Sequence, residues 1–239
     1  VEENMPETVP VALITGASRG LGRAVATALA ARGWRLIVDA RERAPLLAAA
    51  GEWAGTAEVI PVAGDVAEPA HRAALIEAVR RLGRLDLLMN NASTLGPSPM
   101  PMLADYPLPD LAAVYQVNVL APLALLQPLL PVLESTGGRV VNVSSDAAVE
   151  PYPGWGGYGS AKAALDQLTA VLAAERPGLR VYAFDPGDMR TDLHQLAFPG
   201  EDISDRPEPA TVVPAALRLL DEDLGSGRYR AADLAVVPA

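Results

Sequence analysis

Cysteine is absent from all 239 residues, and histidine occurs only as His71 and His194. With no thiol there is no disulfide framework, no cysteine nucleophile and no cysteine-ligated zinc. Two histidines so far apart give little from which to build a metal site, and none is expected. Positive charge is also scarce: 19 Lys plus Arg stand against 29 Asp plus Glu, a formal net charge of −10. A surface of that sign repels phosphate backbones and anionic headgroups, so nucleic-acid and membrane partners are not expected. Long uninterrupted apolar runs are missing too. The most apolar stretch, 117–133, contains Asn118 and Gln127 and is cut by Pro122, Pro128 and Pro131. It reads as too short and too interrupted to span a bilayer. The start, Val1 to Pro6, has neither the basic region nor the apolar run of a secretory signal. Met5 reads as a candidate initiator, and residues 1–8 are set aside as a tail. A cytoplasmic location is the expectation.

What is present suits one large core. Half the residues are hydrophobic and 20% charged, too apolar a balance for a disordered chain. Along the sequence, short apolar runs alternate with helical patterns. The runs lie at 11–15, 35–39, 58–62, 85–89, 139–143 and 179–184, with a possible seventh at 232–237. Helical patterns follow at 21–31, 45–53, 69–82, 108–133, 158–175 and 210–220. Continuous apolar strands alternating with helices imply a parallel sheet covered on both faces. The right-handed crossover rule then predicts a Rossmann-like, doubly wound α/β fold with about seven strands. Residues 9–239 read as one domain. The Pro- and acid-rich segment 188–209 fits no element and reads as a loop or lid over a substrate.

Ligands of such sheets bind beyond the carboxyl ends of the strands. There, after the first strand, stands Thr15-Gly16-Ala17-Ser18-Arg19-Gly20-Leu21-Gly22. Glycines allow a tight turn and close approach of backbone to a pyrophosphate, and the free N–H groups of the following helix suit an anion. By itself this turn also fits a strand–helix junction that binds nothing. Further on, Tyr158-Gly159-Ser160-Ala161-Lys162 opens a predicted helix, and a spacing of four puts Tyr158 and Lys162 on one face. A phenol has a reference pKa of about 10, which a nearby ammonium lowers, making it a usable general acid/base. An isolated pair of this kind would be read as a buried Tyr beside an unrelated Lys.

The pair is not isolated. Together these residues resemble the classical short-chain dehydrogenase/reductase family over nearly the whole chain, and in its order. Thr15 to Gly22 is similar to its TGxxxGxG cofactor turn, and Tyr158 with Lys162 to its YxxxK motif. Asp65-Val66 resembles the adenine-contacting pair, and Asn90-Asn91-Ala92 the NNAG segment. Asn118 matches the Asn of the long helix. Ser145, thirteen positions before Tyr158, matches the catalytic Ser and is preferred over Ser144 on that spacing. Pro186-Gly187 and Thr191, with Met189 between them, resemble the PGxxxT stretch that holds a nicotinamide.

The resemblance implies hydride exchange between a nicotinamide cofactor and a carbonyl or alcohol. Tyr158 would be the acid/base and Ser145 would hydrogen-bond the carbonyl oxygen. Lys162 would bind the nicotinamide ribose and lower the Tyr158 pKa, and Asn118 would hold a relay water. NADP(H) is favoured over NAD(H), because Arg41 follows the second strand and Arg19 sits in the glycine turn, two guanidiniums suited to a phosphate. Asp39 is the alternative: one residue of register would make it a ribose ligand and favour NAD(H). Arg43 reads as a solvated helix-start residue.

Three departures stand out: Ser93 in place of the last Gly of NNAG, Asp185 where Asn is usual, and an ending without the familiar glycines. Asp146, Ala147, Trp155 and Leu193 are candidate substrate-pocket residues, and Trp155 and Met189 could pack an apolar or ring-bearing carbonyl substrate. His71 reads as solvated and His194 as a surface residue of the lid. The expected protein is a carbonyl reductase or alcohol dehydrogenase acting on a small molecule as a homo-oligomer, dimer or tetramer. The alternatives are a 3-oxoacyl-thioester reductase, weakened by the acidic surface, and a dinucleotide-binding redox sensor without turnover.

Overall fold

A computed structural model describes residues 9–234. Seven strands form one parallel sheet: β1 (Val11–Ile14), β2 (Arg35–Ala40), β3 (Val59–Ala63), β4 (Leu87–Asn90), β5 (Arg139–Val143), β6 (Arg180–Asp185) and β7 (Gly227–Arg230). Their order is β3-β2-β1-β4-β5-β6-β7, so the winding reverses between β1 and β4 and opens a crevice above that point. The helices are α1 (Gly20–Ala31), α2 (Arg43–Trp53), α3 (Pro69–Leu82), α4 (Leu108–Tyr115), α5 (Ala121–Thr136), α6 (Gly156–Glu175), α7 (Asp192–Ala197), α8 (Val213–Asp221) and α9 (Ala231–Leu234).

The continuous apolar strands divide between two cores by simple alternation. Ala12 and Ile14 of β1, with Leu36 and Val38 of β2, face α1, α2 and α8. Val11, Leu13 and Ile37 face the opposite way, toward α3, α5 and the end of α6. The expected doubly wound, Rossmann-like single domain is therefore what the chain builds. α3 shows how sequence sets an element's limits. Pro69 stands in its first turn, where no amide is needed, and Gly83 ends it at φ +65° with its N–H on Val79 O.

The last strand lies elsewhere than expected. Pairing with β6 falls to Gly227–Arg230, while Ala231–Leu234 turns into α9; residues 235–237 lie outside the described region. The Arg-Tyr-Arg sequence of β7 carries little apolar signal because it lies at the sheet edge and is only half-buried. Segment 188–209 is not wholly irregular, since it contains α7.

The long apolar region also differs. α4 and α5 join through a π-helical turn, Gln116–Leu120, giving a continuous 29-residue helical run whose most apolar 18 residues have a mean hydropathy of 1.5. Length and composition alone would let it cross a membrane, against the expectation of too short a stretch. In the fold, its Leu125, Leu129 and Leu133 pack on the sheet instead. Pro122 has no N–H to give the carbonyl of Asn118, four residues earlier, so the regular α ladder cannot pass that point.

Candidate active site

A single cleft of about 460 Å³ runs over the carboxyl ends of the strands, from the β2–β3 edge across the crevice to the segment after β6. Its central wall is the glycine turn, which is laced to the chain leaving β4. Thr15 Oγ1 accepts the amides of Asn91 and Ala92, both at 3.0 Å, and Asn91 Nδ2 donates to Thr15 O at 2.8 Å. This lacing explains the small residues. Gly16 has φ +68°, and a Cβ there would meet the Cα of Ala92 at 3.0 Å. A Cβ on Gly22 would lie 2.5 Å from Gly16 O. Gly22 is thus a packing residue behind the turn, while Gly16, Ser18, Arg19, Gly20 and Leu21 face the cleft. No side chain caps the start of α1, so its first amides are open to an anion.

At the β2 end, Asp39 turns inward. Its Oδ1 accepts the Gly16 amide at 2.7 Å, and its Oδ2 lies 2.9 Å from His71 Nε2. Burial raises the Asp39 pKa, and His71 and the Gly16 amide pull it back. His71 is therefore buried, not solvated, and a Cβ on Gly64 would sit 2.3 Å from its Nδ1. The sequence does not show this because α3 packs across β2 and turns His71 toward a carboxylate on that strand, 32 residues away in sequence. With Asp39 engaged, Arg41 is the basic side chain just beyond β2 that lines the cleft, beside Glu42, Asp65 and Val66. Arg19 is held by two exposed carboxylates, Glu42 at 2.8 Å and Asp192 of α7 at 2.7 Å. Arg43 is exposed, as expected.

The opposite half gathers the polar residues. Tyr158 and Lys162 face the cleft from the first turns of α6, with Lys162 Nζ 5.4 Å from the Tyr158 ring centre. Lys162 is 2% exposed and donates to Val143 O at 2.7 Å. Burial lowers its pKa from 10.5 to about 8, against the opposing pull of Asp166. Burial likewise pushes the Tyr158 phenol up, and the Ser93 and Ser145 hydroxyls that hydrogen-bond it oppose that push. The phenol is thus raised, where spacing alone suggests lowering. Desolvation outweighs the hydroxyls that oppose it.

Ser145 extends from β5 toward Tyr158, while Ser144 is buried, its Oγ turned in beside Asp166. In this state Ser145 Oγ donates to Asp146 Oδ1 at 2.9 Å. Asn118 is 1% exposed and does not line the cleft. Its side chain accepts the Thr94 amide at 3.0 Å and the Ser93 hydroxyl at 3.2 Å, and donates to Thr94 O at 2.8 Å.

An aromatic and apolar wall closes this end. Trp155 meets Tyr158 edge-on at 5.9 Å and Phe198 at 6.1 Å, with Leu95, Met100 and Leu193 packed around. Asp146 and Leu193 line the cleft as expected; Ala147 instead packs beneath Tyr158 and Leu95. His194 is not a surface residue: its side chain is 11% exposed, stacked 4.9 Å from Phe198, and 3.8 Å from Asp188. Asn91, Ala92, Pro186, Gly187, Met189 and Thr191 also reach the cleft. Leu95, Asp188, His194 and Glu208 join it too, with only their nearness to recognised motifs as a sequence signal.

Known proteins resemble this chain in sequence and in fold. A family model described as short chain dehydrogenase matches residues 10–202. Sepiapterin reductase of Mus musculus is 37% identical over 201 residues, covering 78% of this chain and 77% of its own. A short chain dehydrogenase from Escherichia coli CFT073, solved in complex with NADPH, superposes at a TM-score of 0.85 with 29% identity, covering 93% of this chain and 96% of its own. An alcohol dehydrogenase from Thermococcus sibiricus, complexed with 5-hydroxy-NADP, gives a TM-score of 0.83 at 28% identity over 93% of this chain and 95% of its own.

Proposed function

The chain belongs to the short-chain dehydrogenase/reductase family, and on that premise we propose that it interconverts a ring-bearing carbonyl compound and its alcohol, with Tyr158 as general acid/base. It is an NADP(H)-dependent oxidoreductase. The residues of the cleft fit that cofactor. The turn packs too closely at Gly16 and Gly22 to admit a Cβ, the α1 amides are uncapped, and Arg41 stands at the end where the adenosine phosphate belongs. When bound, NADP(H) supplies or accepts the hydride.

The chain's own residues handle the oxygen and the proton. Ser145 turns its hydroxyl from Asp146 to the substrate oxygen and stabilises the charge that develops there. Tyr158 gives that oxygen its proton in reduction and removes it in oxidation. Lys162, as ammonium, would hold the ribose hydroxyls of the cofactor and favour the phenolate. The relay water assigned to Asn118 would sit on its backbone carbonyl, since its side chain is engaged and Pro122 leaves that carbonyl without an α-helical donor. Segment 188–209 would act as the lid, held through Asp192 to Arg19.

The observation that carries the reading is the meeting of Tyr158, Lys162 and Ser145 in one cleft with the glycine turn. The wall of Trp155, Leu95 and Leu193 suits a planar ring, and Asp146 and Asp188 suit a neutral substrate with N–H or O–H donors over an anion. That disfavours acyl thioesters on acidic carriers. The test is NADPH oxidation over a panel of ring-bearing ketones, diketones, aldehydes, acyl thioesters and sepiapterin itself. Turnover of ring-bearing carbonyls is expected, with Tyr158→Phe lowering kcat at least about 100-fold while still binding NADPH. NADPH binding without turnover would favour a sensor, and an active Tyr158→Phe would remove the acid/base assignment. A homo-oligomer, dimer or tetramer, in the cytoplasm belongs to the same proposal. The exposed Leu108, Leu120 and Val171 support the oligomer, and light scattering decides it.

A further inference from the structure

One side chain outside the mechanism ties together three of the segments that carry it. Arg228, on β7, reaches under the site between α6 and the end of β6. Its Nε donates to Asp166 Oδ2 at 3.0 Å. Its Nη2 donates to Asp185 Oδ2 and to the backbone carbonyl of Ser145, each at 2.9 Å. Asp185 in turn accepts the Gly187 amide on Oδ1 at 3.0 Å, pinning the first turn of the loop after β6. Asp166 stands one helical turn beyond Lys162 on α6.

The cluster is costly to keep. The side chains of Asp185, Asp166 and Arg228 are only 4%, 14% and 26% exposed. Buried ion pairs of this kind add little net stability, because desolvation offsets the attraction. Asp185 is also the residue that departs from the family pattern. An Asn there could accept the Gly187 amide without a counterion, whereas a carboxylate needs one. Arg228 supplies it through its guanidinium fork. Two of the three departures noted in the sequence, Asp185 and the altered ending, are thus halves of one contact.

We propose that Arg228 is a positioning residue for the reaction: it fixes the backbone of Ser145 through its carbonyl and cancels the charge of Asp185 beside Tyr158. The groups facing Tyr158 are Lys162 on its own helix, Ser145 and Asp146 after β5, Ser93 after β4, and Asp185 at the end of β6. Of these, Asp185 and Asp146 oppose formation of the phenolate. Without Arg228 the opposition of Asp185 is unmatched, and Ser145 loses the bond that sets its direction. This inference rests on the oxidoreductase reading above.

The experiment compares Arg228→Met, Arg228→Lys and Arg228→Met/Asp185→Asn with the parent enzyme, measuring NADPH affinity, kcat and the pH profile of alcohol oxidation. Arg228→Met should lose at least about tenfold in kcat with NADPH affinity within about threefold. The low-pH limb of its oxidation profile, where Tyr158 holds its proton, should move up by about one pH unit. Arg228→Lys keeps the cation and loses the fork, so kcat falls less and the profile stays in place. Asp185→Asn in the Arg228→Met background should restore much of kcat and return the profile, because no charge remains to be cancelled there.

A folded Arg228→Met with parental kcat and profile overturns the proposal, and so does a loss that Asp185→Asn leaves untouched. Should Arg228→Met fail to fold by circular dichroism, Arg228→Lys decides: a reduced kcat supports the role and an unchanged one refutes it. A parent enzyme that turns over nothing in the panel refutes the oxidoreductase reading itself. An active parent with unaffected variants refutes this inference alone.

Discussion

Replacing Arg41 by Ala isolates the residue on which cofactor preference turns. Arg41 lines the cleft just past β2 and makes no ion pair among the described residues. Arg19, the other candidate, must first leave Glu42 and Asp192, two exposed pairs worth about 0.2–1 kcal/mol each. Asp39 cannot compete for a ribose while it holds the Gly16 amide and His71. A charge-assisted bond from Arg41 to a phosphate contributes about 1.5–3 kcal/mol, or roughly 10- to 100-fold in affinity. Arg41→Ala should therefore weaken NADPH by that factor and change NADH by less than about twofold. Glu42→Gln should act oppositely, freeing Arg19 and tightening NADPH by up to about fivefold. Both are read by fluorescence titration at fixed low salt, since screening shrinks exposed electrostatic effects. Equal losses for NADPH and NADH in Arg41→Ala would show that the arginine meets no 2′-phosphate, and the assignment would fail.

Lys162 gives a prediction about stability. Its folded pKa of about 8 lies below the ordinary 10.5, so between those values the unfolded chain binds the extra proton. The cofactor-free protein should gain stability from this group as pH rises from about 8 to 10.5, and Lys162→Met should flatten that part of the curve in urea melts. A slope of the opposite sign would refute the buried ammonium. His71→Leu leaves Asp39 with the Gly16 amide alone. It should cost about 3 kcal/mol in denaturant unfolding and weaken NADPH binding by loosening the glycine turn, whereas an unaffected midpoint would mean the pair contributes nothing.

Much of the site was legible because its chemistry depends on neighbours in sequence. Tyr158 and Lys162 share a helix face by spacing alone, and Thr15 to Gly22 carry the turn in their own backbone needs. Distant pairings were not legible. His71 looks like an ordinary polar residue at a helix start until α3 is laid against β2, and only then does it meet Asp39. The pKa of Tyr158 was misjudged for the same reason: spacing counts the ammonium but not the water that packing removes. β7 escaped notice because an edge strand of Arg, Tyr and Arg lacks the apolar run by which the inner strands are found.

By itself, then, the sequence determined the periodicities, hence the parallel sheet with helices on both faces, and the local motifs that place a glycine turn and a Tyr–Lys pair at strand ends. Those follow from backbone geometry and hydrophobic spacing, which act over a few residues. Only the tertiary structure decided which charges are spent and which are free. Asp39 is consumed by His71, Arg19 by Glu42 and Asp192, and Asp185 by Arg228, while Arg41 is left to the cleft. Charge pairing reaches across any sequence separation and depends on ångström distances and burial, quantities that exist only once the chain has closed on itself.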